Sequence, residues 1–456
     1  MPVRLADISP SVIDTQYAVR GPIVARAAEL ERQGRRILYG NIGNPQALGQ
    51  RPLTYIRQIL ALCEYPSLLD SPATRGSGAM FPPDVVDAAR RILEGTKHGL
   101  GAYSESKGVR MIREAIAAFI AERDGIDSDT ESIFLADGAS KSVQMALRIL
   151  ISGPDDGVMV PIPQYPLYSA TISLYGGALV PYYLDEDREW RLSLELLEKS
   201  YSEATRRGTK VKAICVLNPG NPTGAVLDRE NIAMVIGFAR DKGISILTDE
   251  VYQEDIYLED FRFFSFARIM AEEGVDDVSL FSFHSISKGF IGECGHRGGY
   301  MEIRNIPRDV VGQLDKLQSV SLCSNLPGQV VTYCMVSPPR GGDPSYPLYV
   351  AERDHILTEL KTRARILAEG LDGIEGIRCT TIAGAMYAFP RIILPAGKTD
   401  EDYCFDLLEA TGLCVVPGSG FGQLPGTAHF RTTILPETAQ ILEFIDKLRA
   451  FHERYR

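Results

Sequence analysis

From about residue 84 onward the chain alternates between two hydrophobic periods. Asp84 to Leu93 and Val109 to Ala121 space their apolar side chains three and four apart, which predicts helices. Ser132 to Ala136 and Val158 to Val160 are short apolar runs bounded by Gly, Pro and Asp, which predicts strands. Ala213 to Leu217, Ile244 to Thr248 and Leu280 to Phe283 repeat that design, with helical stretches such as Asn231 to Arg240 between them. Strands alternating with helices imply parallel βαβ units and a doubly wound α/β sheet. The pattern changes at Ser337-Pro338-Pro339-Arg340-Gly341-Gly342-Asp343-Pro344, which predicts a boundary loop. Beyond it come an amphipathic segment from about Leu348 to Leu371, strand-like pieces around Arg378, Tyr387 and Val415, and a last helix from about Glu437. That second region reads as α+β.

Composition narrows the function classes. A chain of 456 residues suits two domains better than one core. Its 45% hydrophobic and 23% charged residues are ordinary for a soluble globular enzyme. A formal net charge of −11 argues against a nucleic-acid surface, which needs a basic stripe. No apolar run has the length of a membrane helix. The segment Met1 to Asp7 lacks the apolar core of a secretory signal, and Asp7 and Asp14 argue against a transit peptide. Eight dispersed cysteines without CxxC spacing read as reduced thiols, so a cytoplasmic location is expected. Six histidines without paired spacing predict no metal site.

The candidate chemistry sits at strand ends. Lys288, in Ser285-Ile286-Ser287-Lys288-Gly289-Phe290, follows an apolar strand, and Arg297 comes nine residues later. A lysine held in apolar sequence suits a Schiff base with a carbonyl cofactor, while its cationic neighbour suits a phosphate. Standing alone, it would equally be a surface loop residue. Asn218-Pro219-Gly220-Asn221-Pro222-Thr223-Gly224 follows Ala213 to Leu217 and predicts a rigid turn. Asp249, in Asp249-Glu250-Val251-Tyr252, lies at the carboxyl end of a strand, where open α/β sheets place ligands; a helix cap would explain it as well. Gly138-Ala139-Ser140 stands where a strand gives way to the periodic run Val143 to Leu150, so a helix N-terminus there offers free amides to an anion.

Together these segments resemble the pyridoxal-phosphate aminotransferases of fold type I. Asn41-Ile42-Gly43, Gly101-Ala102-Tyr103-Ser104, Asp137-Gly138-Ala139-Ser140-Lys141, Pro163-Gln164-Tyr165-Pro166, Ser285-Ile286-Ser287-Lys288-Gly289 and Gly384-Ala385-Met386-Tyr387 look like the alanine aminotransferase branch. The likeness runs from about residue 40 to the C-terminus. It implies a large doubly wound, mostly parallel-sheet domain over 51–337, and a smaller α+β domain made from both chain ends, 1–50 and 338–456. It also implies pyridoxal 5′-phosphate as cofactor, held by Lys288 as an internal aldimine.

The remaining roles follow from the same resemblance. Asp249 pairs with the ring nitrogen, Asn221 and Tyr252 with the phenolic oxygen, and Tyr165 stacks on the ring. Gly138, Ala139, Ser140, Ser285, Ser287 and Arg297 hold the phosphate, joined by Tyr103 from a neighbouring chain, so a homodimer is expected. Lys288 then serves as base and acid. Arg431, with Gly43 and Asn221, takes the substrate carboxylate. The implied partners are amino acids and 2-oxo acids, most simply L-alanine with 2-oxoglutarate. Glutamate–glyoxylate transamination and a lyase of the same fold stay open, since they use the same lysine and aspartate. A regulator built on this fold would need a DNA-binding module, for which the stretch before Asn41 is too short. The family pattern departs at Asn44-Pro45, which leaves the substrate range open.

Overall fold

A computed structural model describes residues 2–17, 21–74 and 79–456. Strand β1 (Leu38–Tyr39) stands apart from the central sheet. That sheet takes β2 (Ile133–Ala136), β3 (Asp156–Ile162), β4 (Ala178–Tyr183), β5 (Lys210–Leu217), β6 (Ser245–Asp249), β7 (Leu280–Ser285) and β8 (Gly299–Arg304). Their spatial order is β2-β8-β7-β6-β5-β3-β4. The expected mostly parallel, doubly wound sheet is present, with β8 alone running against both of its neighbours. Residues 286–298 hold only a short turn of 3-10 helix, Cys294–His296, so the chain doubles back beside β7 instead of crossing over.

Both faces of the sheet are covered, which is why its strands read as unbroken apolar runs. Side chains alternate across each strand. Met159 packs with Val180, Ile214 and Ile246 under the helices Leu194–Arg206, Arg229–Lys242 and Phe266–Glu272. Val158 and Val160 point to the other face, against Val143, Leu147, Phe281 and Phe283. At the β2 edge, Ile133 and Leu135 pack with the helices Thr54–Glu64, Pro83–Thr96, Arg110–Asp124 and Leu326–Val336. The last of these is apolar on all sides and buried along nearly its whole length, as a core helix must be.

A separate cluster gathers the two ends of the chain. Ile23, Ala27, Leu30 and Leu38 meet Leu367, Leu371, Leu407, Leu448 and Phe451. The short strands here are β9 (Ile377–Arg378), β10 (Tyr387–Ala388), β11 (Arg391–Ile392), β12 (Leu413–Cys414), β13 (Val416–Pro417) and β14 (Phe430–Thr433). β1 pairs with β12, while β14 lies between β10 and β13. The strand expected around Val415 is therefore two short pieces with Val415 between them, because β12 and β13 belong to different sheets. The helix Tyr346–Asp372 spans two clusters: Tyr349 packs beside Tyr55, and Leu360 and Leu367 pack with the chain ends.

The buried side chain of Gln329 ties the apolar helix to the loop that carries Tyr103. Its Oε1 accepts the Val109 amide at 2.9 Å, and its Nε2 donates to the Ser324 carbonyl at 3.0 Å and to Ser104 Oγ at 3.2 Å. Replacing it with leucine leaves the buried amide and carbonyl unpaired, at a cost of about 1–3 kcal/mol for each group. We expect Gln329→Leu to lower the urea midpoint of unfolding accordingly. An unchanged midpoint would show that the network adds nothing to stability.

Candidate active site

The motifs converge because of strand register. Leu217, Asp249 and Phe283 lie side by side across β5, β6 and β7. Ser285 pairs with Gly299, and Gly299 also pairs with Ala136. The carboxyl ends of the parallel strands and the start of β8 thus share one edge, which walls a cavity of about 680 Å³. Gly43, Ala139, Ser140, Tyr165, Asn221, Asp249, Tyr252, Ser285, Ser287, Lys288, Arg297 and Arg431 all line it. Tyr103 does not; it is 79% exposed on the surface of the chain.

Lys288 leaves the end of β7 through a serine turn. Ser285 Oγ accepts the Ser287 amide at 3.1 Å and donates to Ser287 Oγ and the Gly298 carbonyl. The next residue, Gly289, takes a left-handed φ of 63° and donates its amide to Asp255 Oδ2 at 3.0 Å. With both flanks tied, the half-buried Lys288 directs Nζ to the Gly43 carbonyl at 2.8 Å, and Nζ stands 5.8 Å from the centre of the Tyr252 ring. Gly43 was expected to offer its amide to a carboxylate. The bond seen here uses its carbonyl, and a Cβ at this position would collide with the Tyr387 hydroxyl.

One end of the cavity is an anion cradle. Gly138, with φ 80°, opens the helix Ala139–Leu150, and a Cβ on it would run into the Arg297 guanidinium. Arg297 is itself left-handed, with φ 50°. Its Nη2 donates to the Asp137 carbonyl at 3.1 Å, and its Nη1 donates to the Cys294 carbonyl at 3.0 Å and to Ser287 Oγ at 3.4 Å. Exposed amides at a helix start, two serine hydroxyls and an arginine without a carboxylate among these bonds suit a phosphate.

Asp249, which also lines the cavity, closes β6. Its Oδ2 accepts the Tyr168 hydroxyl at 3.0 Å, while its buried Oδ1 has no partner among the described residues. Burial lifts its carboxyl from the ordinary 3.8 to about 6, against the downward pull of Tyr168, the Val251 amide and Lys288. A buried carboxylate oxygen of this kind matches a protonated ring nitrogen. The half-buried Tyr165 meets the hydroxyl of Tyr17 at 2.7 Å, and burial raises its phenol well above the usual range. Tyr252 lies deeper, 3% exposed.

Arg431, on β14, is 1% exposed. Its guanidinium lies between the rings of Tyr387 and Phe421, 4.2 Å and 4.6 Å from their centres. Nη2 donates to the Asn41 carbonyl at 3.0 Å and Nη1 to Asn221 Oδ1 at 3.4 Å, and Nε has no partner among the described residues. A buried arginine held by neutral acceptors keeps its charge available for a carboxylate.

Motif reasoning does not assign Tyr168, Asp255, Phe421, Tyr17 or Tyr387. Tyr168 comes three residues after Tyr165, in the first turn of the helix Leu167–Leu174, a nearness in sequence that could have pointed to it. Tyr387 stands inside the quoted Gly384-Ala385-Met386-Tyr387 motif. Asp255, Phe421 and Tyr17 reach the site only through folding and carry no local signal.

The family model for aminotransferases of class I and II matches residues 70–448. The chain is 48% identical to the mitochondrial alanine aminotransferase 2 of Arabidopsis thaliana, over 100% of this chain and 88% of that one. It is 46% identical to a probable mitochondrial alanine aminotransferase of Dictyostelium discoideum, over 99% of this chain and 89% of that one. It is also 46% identical to glutamate–glyoxylate aminotransferase 2 of Arabidopsis thaliana, over 98% and 95%. Among solved structures, the alanine aminotransferase of Pyrococcus furiosus superposes with a TM-score of 0.81 at 25% identity, covering 98% of this chain and 100% of that one. The cytoplasmic expectation is corrected by these names, two of which are mitochondrial and point to that compartment. Dispersed thiols report a reducing environment and carry no address.

The Asp249 carboxyl sets a pH test on the ligand-free protein. Its raised value means the folded state holds the proton more tightly than the unfolded chain does. Ionising it therefore costs the fold, and the cost grows as pH rises from about 4 to above about 6. Asp249→Asn escapes that cost and still accepts from Tyr168. We expect the variant to gain stability relative to wild type across this window, by up to about 3 kcal/mol, and to hold the gain above it. A difference that stays constant from pH 4 to 7, measured by denaturant unfolding, would contradict the raised carboxyl.

Proposed function

This chain belongs to the class I and II aminotransferases, and on that footing we propose that it transfers an amino group between L-alanine and 2-oxoglutarate, giving pyruvate and L-glutamate. The alanine aminotransferases among its relatives support that donor. The observation that supports the reading is one cavity lined by Ser140, Ser285, Ser287 and Arg297, by Asp249 with an oxygen that has no partner among the described residues, and by Lys288 and Arg431.

The cofactor is pyridoxal 5′-phosphate, and the residues present fit it. Gly138, Ala139, Ser140, Ser285, Ser287 and Arg297 would hold the phosphate, Tyr165 would face the ring, Asn221 and Tyr252 would take the phenolic oxygen, and Asp249 the pyridine nitrogen. When bound, this group supplies the sink for the electron pair left at the amino-acid Cα. Asp249 keeps the nitrogen-bound proton in place through its opposite charge. Lys288 Nζ takes the Cα proton as general base and delivers it again as acid. Arg431 grips the substrate carboxylate with its planar fork, beside Gly43 and Asn221, and so aims Cα at Nζ.

We further infer two bodies, residues 51–337 and a smaller one from 1–50 with 338–456, which the chain-end cluster supports. The exposed Tyr103 supports a homodimer in which each Tyr103 reaches the phosphate of the other copy. A second reading, glutamate–glyoxylate transamination, is favoured by the 46% identical Arabidopsis relative of that name.

Borohydride reduction should fix the cofactor to the peptide bearing Lys288, and Lys288→Ala should lose both the label and about 10²–10⁴-fold in kcat. A label on another lysine would refute the assignment. Arg431→Ala should instead raise KM steeply for alanine and 2-oxoglutarate alike. Side-by-side kcat/KM values decide the substrates: alanine with 2-oxoglutarate should lead glutamate with glyoxylate by about tenfold or more, and the reverse order would install the second reading.

Assembly gives a separate test. Light scattering should find at least a dimer, and Tyr103→Phe should weaken cofactor retention while leaving the chemistry in place. A fully active monomer would exclude a shared site.

A further inference from the structure

We propose that Tyr387 is the proton partner of Lys288, a catalytic residue whose oxygen receives a proton directly from Nζ and hands it back. The placement comes from the smaller body. Tyr387 opens β10, paired with Thr433 of β14, and its ring carries the Arg431 guanidinium 4.2 Å from the centre. That stacking fixes the direction of the ring and sends its hydroxyl across to the loops of the large sheet. There the hydroxyl crowds the α-carbon of Gly43 so closely that only glycine fits, and a Cβ on Gly43 would also lie 3.4 Å from Lys288 Nζ. Hydroxyl and amine therefore flank the same point. The Tyr252 ring meets the Tyr387 ring edge-on at 6.3 Å, and the Lys288 charge acts on the Tyr387 phenol from beside it.

The electrostatics of this position ease ionisation of the phenol. Burial alone would raise Tyr387, but the Lys288 charge, the Arg431 charge and the polar groups beside it outweigh burial and bring the phenol below its ordinary value. The groups that face it are Lys288, Arg431, Tyr252 and Tyr165, and the two charged ones are cations. Lys288 in turn faces Asp249, Asp255 and Cys294.

The step balances without a co-reactant. An N–H bond of the Lys288 ammonium breaks and an O–H bond forms on Tyr387, so an ammonium–phenolate pair becomes a neutral amine and a neutral phenol. Only the neutral amine can take a proton from a substrate Cα. Tyr387 thus makes the base available within the cavity by direct transfer between the two side chains, and the reverse transfer resets it. The catalytic consequence rests on the proposed function, whereas the coupling between the two side chains is a property of the chain alone.

Competitive acetylation with acetic anhydride, read by mass spectrometry on the Lys288 peptide of the full chain freed of cofactor, gives the pH at which Nζ becomes reactive. Tyr387→Phe removes the anion beside the ammonium but leaves the ring under Arg431. The midpoint should therefore fall by about one pH unit or more. In the holoenzyme kcat should fall about tenfold or more while KM for alanine holds within about threefold. Wild-type protein should also show one tyrosine ionising below the free-phenol range by its near-ultraviolet phenolate band, a measurement that needs no variant. An unmoved Lys288 midpoint, or no early-ionising tyrosine, overturns the proposal. A shifted midpoint in a protein without aminotransferase activity would refute the proposed function and leave this coupling standing.

Discussion

The antiparallel pairing of β7 with β8 is the constraint on which the rest of the site depends. Ser285 opposite Gly299 means that the chain leaves the sheet, presents Lys288, turns and returns at Arg297, all on the edge where the parallel strands end. Had this connection crossed over as the other strand pairs do, the arginine would begin its strand at the far edge. Gly299 also pairs with Ala136, so the same reversed strand brings the Gly138 turn against Arg297. An anion cradle and a lysine therefore come from three strands through one piece of topology.

On this frame stand charges that the fold leaves incompletely paired. One oxygen of Asp249 and the Nε of Arg431 are buried without partners among the described residues. Groups of this kind cost stability, and a core optimised for folding alone would replace or pair them. Their separation is informative. Asp249 closes a strand of the seven-stranded sheet and Arg431 lies on a strand of a three-stranded one, so the cavity they line takes a carboxyl from one sheet and a guanidinium from another. Neighbouring side chains hold both in place, Tyr168 for the aspartate and the rings of Tyr387 and Phe421 for the arginine.

The two walls are also tied to each other. The Tyr257 hydroxyl donates to the Ala385 carbonyl at 2.5 Å, the Ala385 amide donates to the Asp255 carbonyl at 2.9 Å, and Ile256 bridges Gly384. The turn that follows Asp249 is thereby clamped to the loop that precedes Tyr387. Asp255 also takes the amide of Gly289, so the same clamp reaches the residue beside Lys288. The segments that carry Tyr387 and Lys288 are thus held by one connected set of hydrogen bonds from backbone and side chains.

The sequence by itself determined the alternation of strand and helix, the strand-end position of Lys288, Asp249 and Asn221, and the helix start at Gly138. Each is a local matter: period, punctuation and a left-handed glycine act within a few residues. Its motifs also carried the family likeness. Only the tertiary structure decided the reversal of β8, since thirteen residues between β7 and β8 permit either direction and pairing energy chooses. It alone decided that Val415 separates two sheets, that Gly43 meets Lys288 through its carbonyl, and that Tyr387 and Lys288 flank Gly43. Those outcomes depend on contacts between segments tens to hundreds of residues apart. No local pattern encodes such a contact, because the residue types involved are unremarkable until packing brings them together and strips away their water.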